Sequence, residues 1–576
     1  MKGQMPLLPI GMQEYNEIRN RKAIYVDKTE FIPELFKTGK VIFCARPRRF
    51  GKSLLCSTLK SFYSGEKELF QGLAAEEAIN SPDFVARPVI TLDMSVPAGA
   101  SSQEELKSGI MTVLNSTANL HNVALKGDEP SLAFFSLLED VYYKYSKTGI
   151  VLIIDEYDAP IIKLFQTDEM IVDQKLLAET RAIIDKFYAK IKPAGVYLNF
   201  VFITGVTKFS GMGVFSTLNN LKDITLKPEF ATIMGYTQDE IENNFAIFID
   251  NAAKIFKCEK DELLERVKLY YDGFSFDGLS GLYNPQSILN FFDDNEFRNY
   301  WMESGSNSLI RKFLKIKDFD LNKIQGIPID LDYVSIPGPI EIVSPDLYLY
   351  QAGYLTLRAR GDKTYYLDYP NLEVRSSMNL LFMENLFDSN LHARGATVFL
   401  RGILKKGDVQ ELVAAIRRMY SNISYISYTN IKLKELGEVF YQTVLQSFLG
   451  GAGCQVTVEE QTNLGRIDLV ARYQNITYVI EIKTAANAED ALKVLEKGTS
   501  QINKGNYAGP FINPIVILLV VDLEDRNIGA GAFWRDGEPM EIKIEKTPLS
   551  LPNSPRNAEN STTNAETEEA RNAKTP

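Results

Sequence analysis

Apolar residues follow two different rhythms in the first 225 residues of this chain. Lys40–Ala45 (KVIFCA), Pro88–Met94 (PVITLDM), Gly149–Ile154 (GIVLII) and Asn199–Ile203 (NFVFI) are short, nearly continuous apolar runs, which predict strands. Residues 52–62 and 131–146 lie between such runs and predict helices. Strands apolar on both faces, separated by helices, imply a parallel sheet covered on both sides. Residues 226–375 change character. Thr237 and Glu240 form a capping box at the head of a helix. Ile241, Phe245, Phe248, Ala252 and Ile255 follow at three- and four-residue steps, so one amphipathic helix and a mostly helical second domain are expected. Tyr270–Phe274 (YYDGF) and Tyr283–Pro285 (YNP) read as core and turn residues. From about residue 376, helices precede strand-like runs at Gln455–Val458, Arg466–Arg472, Thr477–Thr484 and Pro514–Val521, which suggests a smaller α/β unit. Beyond residue 547 the chain is rich in Asn, Thr, Ala and Glu and has no aromatic residue, so a disordered tail is expected. The pattern divides the 576 residues into 1–225, 226–375, 376–547 and 548–576.

Charge narrows the function. With 63 basic and 74 acidic side chains, the net charge is −11, which argues against a protein that coats nucleic acid by bulk attraction. Segment 40–63 is an exception, carrying Lys40, Arg46, Arg48, Arg49, Lys52 and Lys60 and no acid. The four cysteines lack metal-ligand spacing, and only two histidines are present, so a thiolate- or imidazole-built metal site is not expected. Scattered cysteines suit a reducing compartment. No apolar run approaches the ~20 residues of a membrane span. The first residues, MKGQMPLLPIGMQEYN, lack a secretory pattern. A cytoplasmic protein without a membrane partner is the expectation.

Two constellations carry chemistry. The first is RPRRFGKS, running from a strand into a helix. A phosphate loop has the pattern G-x-x-x-x-G-K-[ST]. Gly51, Lys52 and Ser53 fill its last three fixed positions, while Arg46 stands where the first glycine belongs. The candidate nucleotide-binding segment is Arg46, Pro47, Arg48, Arg49, Phe50, Gly51, Lys52, Ser53 and Leu54. Its backbone N–H groups would cradle phosphates, Lys52 would reach the β- and γ-phosphates, and Ser53 would ligate Mg²⁺. About 100 residues later, the apolar run VLIIDE ends in Asp155 and Glu156. Asp155 can hold Mg²⁺ through water, and Glu156 can polarise the attacking water. Thr204, at the end of another strand, is placed to sense a γ-phosphate. A nucleoside triphosphate and Mg²⁺ are the ligands this set implies.

The second constellation lies in RIDLVA and YVIEIK. Strand side chains alternate, so Glu481 and Lys483 share a face. If the two strands pair, Asp468 stands beside Glu481. Adjacent carboxylates are costly unless a cation joins them, and Mg²⁺ suits that need. The competing reading is a solvent-facing strand pair of mixed charge.

The phrases YVDKTEFI (25–32), FCARPRRFGKSLL (43–55), IIDEYDAP (153–160), ITGVTKFS (203–210), YYDGFSF (270–276), LYNPQSIL (282–289) and LYQAGYLTL (349–357) resemble the bacterial AAA-ATPase-like family. That family's loop also carries RPRRFGKS, so Arg46 fits it. Asp158 belongs to a shared phrase and receives no role. The resemblance makes the nucleotide ATP and implies a P-loop NTPase domain with a parallel sheet (1–225), a helical lid (226–375) and a restriction-endonuclease-like α/β domain of the PD-(D/E)xK type (376–547). The order Asp468…Glu481-x-Lys483 resembles that nuclease core, although Arg466–Ile467 replaces its leading proline. By this resemblance Asp468 and Glu481 hold Mg²⁺, Lys483 orients water or steadies the pentavalent charge, Glu438 completes the metal shell and Gln501 supports the site.

An ATP-hydrolysing protein whose nucleotide state controls a Mg²⁺-dependent nuclease is therefore expected. Its partner would be a nucleic acid, with DNA the first expectation, and the oligomeric state is left open. The alternative is a nucleotide-switched scaffold whose C-terminal domain binds nucleic acid or a protein without cutting. Near-balance of charge in residues 376–547 favours the scaffold, and the complete D…E-x-K set disfavours it.

Overall fold

The computed structural model describes residues 5–544, apart from 166–172, 211–217, 302–325, 336–337, 340–344, 361–363, 388–389, 424–432, 463–464, 506, 513 and 536–537. The expected tail, 548–576, lies outside the described residues. The chain divides into two compact units, Met1–Asn385 and Leu386–Pro576. The stretch 226–375 lies within the first of them.

The first unit is built on five parallel strands: β1 (Val41–Ala45), β2 (Val89–Asp93), β3 (Ile150–Asp155), β4 (Leu198–Gly205) and β5 (Leu221–Asp223), in the order β2-β3-β4-β1-β5. Every residue of β1 and β3 is buried, as their continuous apolar runs require. Alternate residues serve opposite layers. Ile42, Cys44, Val151, Ile153, Phe200 and Phe202 pack with Leu55, Leu59 and Phe62 of α1 (Lys52–Ser64). Phe43, Leu152, Ile154, Val201 and Ile203 face the helices α2 (Gln103–Leu120), α3 (Pro130–Lys144) and α4 (Gln174–Tyr188). In this order β4 lies between β1 and β3. The carboxyl ends of all five strands open on one edge, where ligands of open α/β sheets bind.

The capping box forms as expected, with Thr237 accepting from the Glu240 N–H and Glu240 accepting from the Thr237 N–H. The single helix expected behind it does not. It divides into α5 (Gln238–Asn244) and α6 (Ala246–Phe256) at Phe245, whose backbone (φ −117°, ψ 18°) leaves the helical basin. The Phe245 ring is fully buried and stacks on Phe292, whereas Ile255 is exposed. The stretch also holds an antiparallel sheet of β6 (Ile327–Ile329), β7 (Thr356–Arg360) and β8 (Thr364–Asp368), in the order β6-β8-β7. Its short strands carry polar and aromatic residues in mixed order, so no apolar run announced them.

The second unit holds a mixed sheet of β9 (Gln455–Thr462), β10 (Gly465–Tyr473), β11 (Ile476–Ala485), β12 (Ile515–Asp522), β13 (Asn527–Arg535) and β14 (Glu538–Glu541), paired in chain order. Only β11 and β12 run parallel, joined by the crossover helix α8 (Ala488–Gly505). Helix α7 (Leu433–Gly451) precedes the sheet and is broken at Gly437. β13 and β14 were not foreseen. Both units are α/β, with a parallel sheet in the first and a mixed one in the second.

Candidate functional sites

The first site lies where β1 gives way to α1. Arg49 (φ 67°) and Gly51 (φ 93°) take left-handed backbones, the kind of conformation from which anion-binding loops are built. Glycine suits the second of these positions, since a side chain at such a φ is strained. Lys52 opens the helix, is 5% exposed, and donates to the Pro47 carbonyl at 3.0 Å. Burial lowers its pKa below the ordinary lysine value, against the opposing charges of Glu156, Asp155 and Asp158. Ser53, in the first turn of α1, comes near enough to Asp155 at the end of β3 to favour its ionised form. Burial lifts the Asp155 carboxyl above its ordinary range, and Ser53 and the Lys52 charge oppose that lift. Glu156 follows with a left-handed backbone (φ 49°), its N–H donating to Asp155 Oδ1 at 2.9 Å. Lys52, Ser53, Asp155 and Glu156 therefore meet at the carboxyl edge of the sheet.

Three other residues of the candidate set have different work. Arg46 is 1% exposed, and its guanidinium donates to the carbonyls of Ala45 (2.9 Å), Thr225 (2.9 Å) and Phe230 (3.0 Å). Its N–H donates to Gly205 O at 3.1 Å, so its amide is taken, while its Nε is buried without a hydrogen-bond partner. Phe50 is fully buried edge-on against Phe274 (4.9 Å) and Phe276 (5.5 Å) and anchors the loop from within. Thr204, expected as a γ-phosphate sensor, is fully buried, and its one hydroxyl proton goes to Cys44 O at 2.7 Å. A hydroxyl spent on its neighbouring strand cannot donate to a ligand as well. Of the remaining loop residues, Arg49 is exposed and Leu54 is half-buried against the core. The Pro47 and Arg48 carbonyls accept from Lys52 and from Asn284 Nδ2 (3.4 Å).

Asp158, left without a role by its sequence, binds the exit of β4. It is 1% exposed and accepts from the Val206 N–H (3.1 Å), the Thr207 N–H (2.6 Å) and the Thr207 hydroxyl (2.6 Å). Tyr157 adds a bond to Thr207 O at 2.8 Å. The phrase IIDEYDAP thus divides its labour. Asp155 meets Ser53, while Tyr157 and Asp158 lock the adjoining loop.

The second site forms where β10 and β11 pair. Leu469 lies opposite Ile480, which brings Asp468 beside the Glu481–Ile482 step. Asp468 Oδ2 accepts from the Ile482 N–H at 2.9 Å, and Gln442 Nε2 of α7 holds Asp468 O at 2.7 Å. Lys483 Nζ lies 2.8 Å from Glu481, 3.4 Å from Glu438 and 3.6 Å from Asp468. Gln501, on α8, donates to Glu481 Oε1 at 3.5 Å and to the Tyr507 hydroxyl at 2.9 Å. All five expected residues meet here. Glu481 is 3% exposed and forms the buried floor of the cluster, whereas Lys483 and Glu438 keep 25% and 38% of their side chains exposed.

The electrostatics follow from burial and from Lys483. Burial raises the pKa of Glu481, with the Lys483 hydrogen bond opposing it, and burial likewise raises Glu438. Burial acts to lower Lys483, but Glu481, Asp468 and Glu438 outweigh it and hold its ammonium above the ordinary lysine range. One oxygen of Glu481, Oε2, is buried without a hydrogen-bond partner, as a carboxylate oxygen suited to a cation would be. Among the described residues, no three acidic, histidine or cysteine side chains converge closely enough to enclose a metal unaided. Tyr507 and Gln442 escaped the sequence analysis. Tyr507 follows Gln501 just past the end of α8, a spacing that could have marked it.

Residues 9–215 match the family described as a predicted AAA-ATPase. Residues 436–530 match the PD-(D/E)XK nuclease superfamily. The first match spans the loop, β3 and β4; the second contains Glu438, Asp468, Glu481, Lys483 and Gln501. An uncharacterized protein in the vnfD 5′ region of Azotobacter chroococcum mcd 1 is 28% identical over 482 residues, covering 83% of this chain and 89% of that relative. The solved structure of Drosophila ORC bound to AT-rich DNA and Cdc6 aligns over 62% of this chain and 89% of its own, at 13% identity and a TM-score of 0.19, too low to support any argument. Among the described residues no helix is long and apolar enough to cross a membrane.

Proposed function

We propose that the first unit binds and hydrolyses ATP and that its nucleotide state governs cleavage of nucleic-acid phosphodiesters, DNA foremost, by the second. One observation carries the nucleotide half. Lys52 and Ser53 at the mouth of α1 come together with Asp155 from a distant part of the chain, the Lys52 side chain being buried there and both favouring the ionised Asp155 carboxyl. The loop N–H groups and Lys52 would hold the triphosphate, and Glu156 would take the proton of the attacking water. In the second unit Lys483 would orient water or steady charge on the scissile phosphate. The donor sets suit Mg²⁺, held by Ser53 and Asp155 in one site and by Asp468 and Glu481, with its unpartnered oxygen, in the other. Bound there, the ion would neutralise phosphate charge and acidify water. All four cysteines are free thiols, as a reducing cytoplasm would leave them.

A scaffold that binds without cutting is favoured by one observation, the Lys483 ammonium seated among the three carboxylates. Cleavage assays over single- and double-stranded DNA and RNA, with and without ATP and Mg²⁺, decide between the two. Asp468→Ala should abolish cutting by about 100-fold or more while ATP turnover survives, and Lys52→Ala should abolish turnover. No cutting of any substrate by the unaltered protein would leave the scaffold.

A further inference from the structure

Arg46 stands where a phosphate loop ordinarily begins with glycine, and its side chain points away from the ligand side. We infer that Arg46 is a positioning residue that sets the geometry of the phosphate loop from behind, an inference that rests on the nucleotide-binding reading above. The guanidinium joins three segments at once. Nη1 bonds Ala45 O and Thr225 O, Nη2 bonds Phe230 O, and the plane lies 3.9 Å over the Phe276 ring. The Arg46 N–H fixes the loop entrance to Gly205 O at the end of β4. The Ala45 N–H bonds the Thr225 hydroxyl at 3.0 Å, so the tie to Thr225 is double. Downstream, Phe50 and the Asn284–Arg48 bond hold the loop against the same 226–300 stretch.

A planar fork spans several carbonyls in fixed directions, which a single ammonium cannot do. The buried guanidinium has no carboxylate within ion-pair distance among the described residues, so carbonyl dipoles and the Phe276 face compensate it. A buried cation with so little compensation is costly to keep. Its retention behind an anion-binding loop fits a residue that preorganises the loop. Preorganisation lowers the cost of ligand binding and leaves the chemical step alone.

The test uses the full chain, with a fluorescent ATP analogue for affinity and steady-state turnover for KM and kcat. Arg46→Lys keeps the charge and loses the fork; Arg46→Met loses both. Both should raise Kd and KM about 10-fold, with kcat at saturating ATP within about twofold of the unaltered protein. General loss of folded protein would lower kcat and leave KM alone, so the split separates positioning from mere stability. Unchanged KM in both variants, or Arg46→Lys behaving as the unaltered protein, overturns the inference. So does a collapse of kcat at unchanged Kd. If neither variant folds, Phe276→Leu removes the ring beneath the guanidinium and should raise KM about threefold, and no change there also overturns it. An unaltered protein that fails to bind the analogue, or a Lys52→Ala variant that binds it normally, overturns the nucleotide reading itself.

Discussion

A lysine buried in an anion site works against the fold that holds it. The folded-state pKa of Lys52 lies below its unfolded value, so burial disfavours its ammonium relative to the unfolded chain. The penalty is full below the lowered folded-state pKa, fades as pH rises from there toward the ordinary value of 10.5, and is gone above it. Lys52→Met should therefore stabilise the nucleotide-free protein by about 1 kcal/mol at pH 7, with the gain shrinking toward pH 10.5, while ATP binding is lost. Denaturant titrations across that pH range check it, and a less stable variant at pH 7 would refute it. Asp158 presents the opposite case. Three donors converge on a carboxylate that is 1% exposed, so Asp158→Ala should cost about 3 kcal/mol by leaving the Val206 and Thr207 N–H groups unpaired. Asp158→Asn, which keeps one acceptor oxygen, should cost less on the same titration.

Single backbone positions aim the elements. Helix α7 breaks at Gly437 (φ 40°, ψ −117°), immediately before Glu438, whose carboxylate meets Lys483. An added Cβ there meets nothing within 4 Å, so Gly437→Ala introduces strain without a clash. It should cost about 1–2 kcal/mol and loosen Glu438 from Lys483. Falling stability together with weaker cutting supports this, whereas full activity would detach the break from the site. At α5, Thr237→Ala removes the cap and should cost about 1 kcal/mol in thermal stability, with turnover unaffected. The capping box was legible in sequence because it is a local pattern. The break at Phe245 was not, because a three- and four-residue rhythm continues across the non-helical residue that divides the two helices.

Two separate α/β units imply two cooperative transitions on heating. ATP binds only one of them in the proposed function. At about 100 times its Kd it should stabilise the first transition by ~2.7 kcal/mol and leave the second in place. Calorimetry with and without nucleotide reads this directly, and a shift of both transitions together would show that the units unfold as one. Asp468→Ala should leave the first transition unmoved.

Local chemistry was sufficient for much of this protein. Apolar runs of five to eight residues specified the principal strands, and the fixed spacing of Gly51, Lys52 and Ser53 located the loop from sequence alone. The face shared by Glu481 and Lys483 followed from strand alternation alone. Only the tertiary structure decided which side chains of a recognised motif meet the ligand side and which meet the protein. Arg46, Phe50 and Thr204 read as site residues, yet their partners are carbonyls and rings brought up by Phe230, Phe274, Phe276 and Cys44. The physical reason is range. Periodicity and turn chemistry act over a few residues, while the orientation of a buried polar group depends on whichever distant backbone arrives to satisfy it.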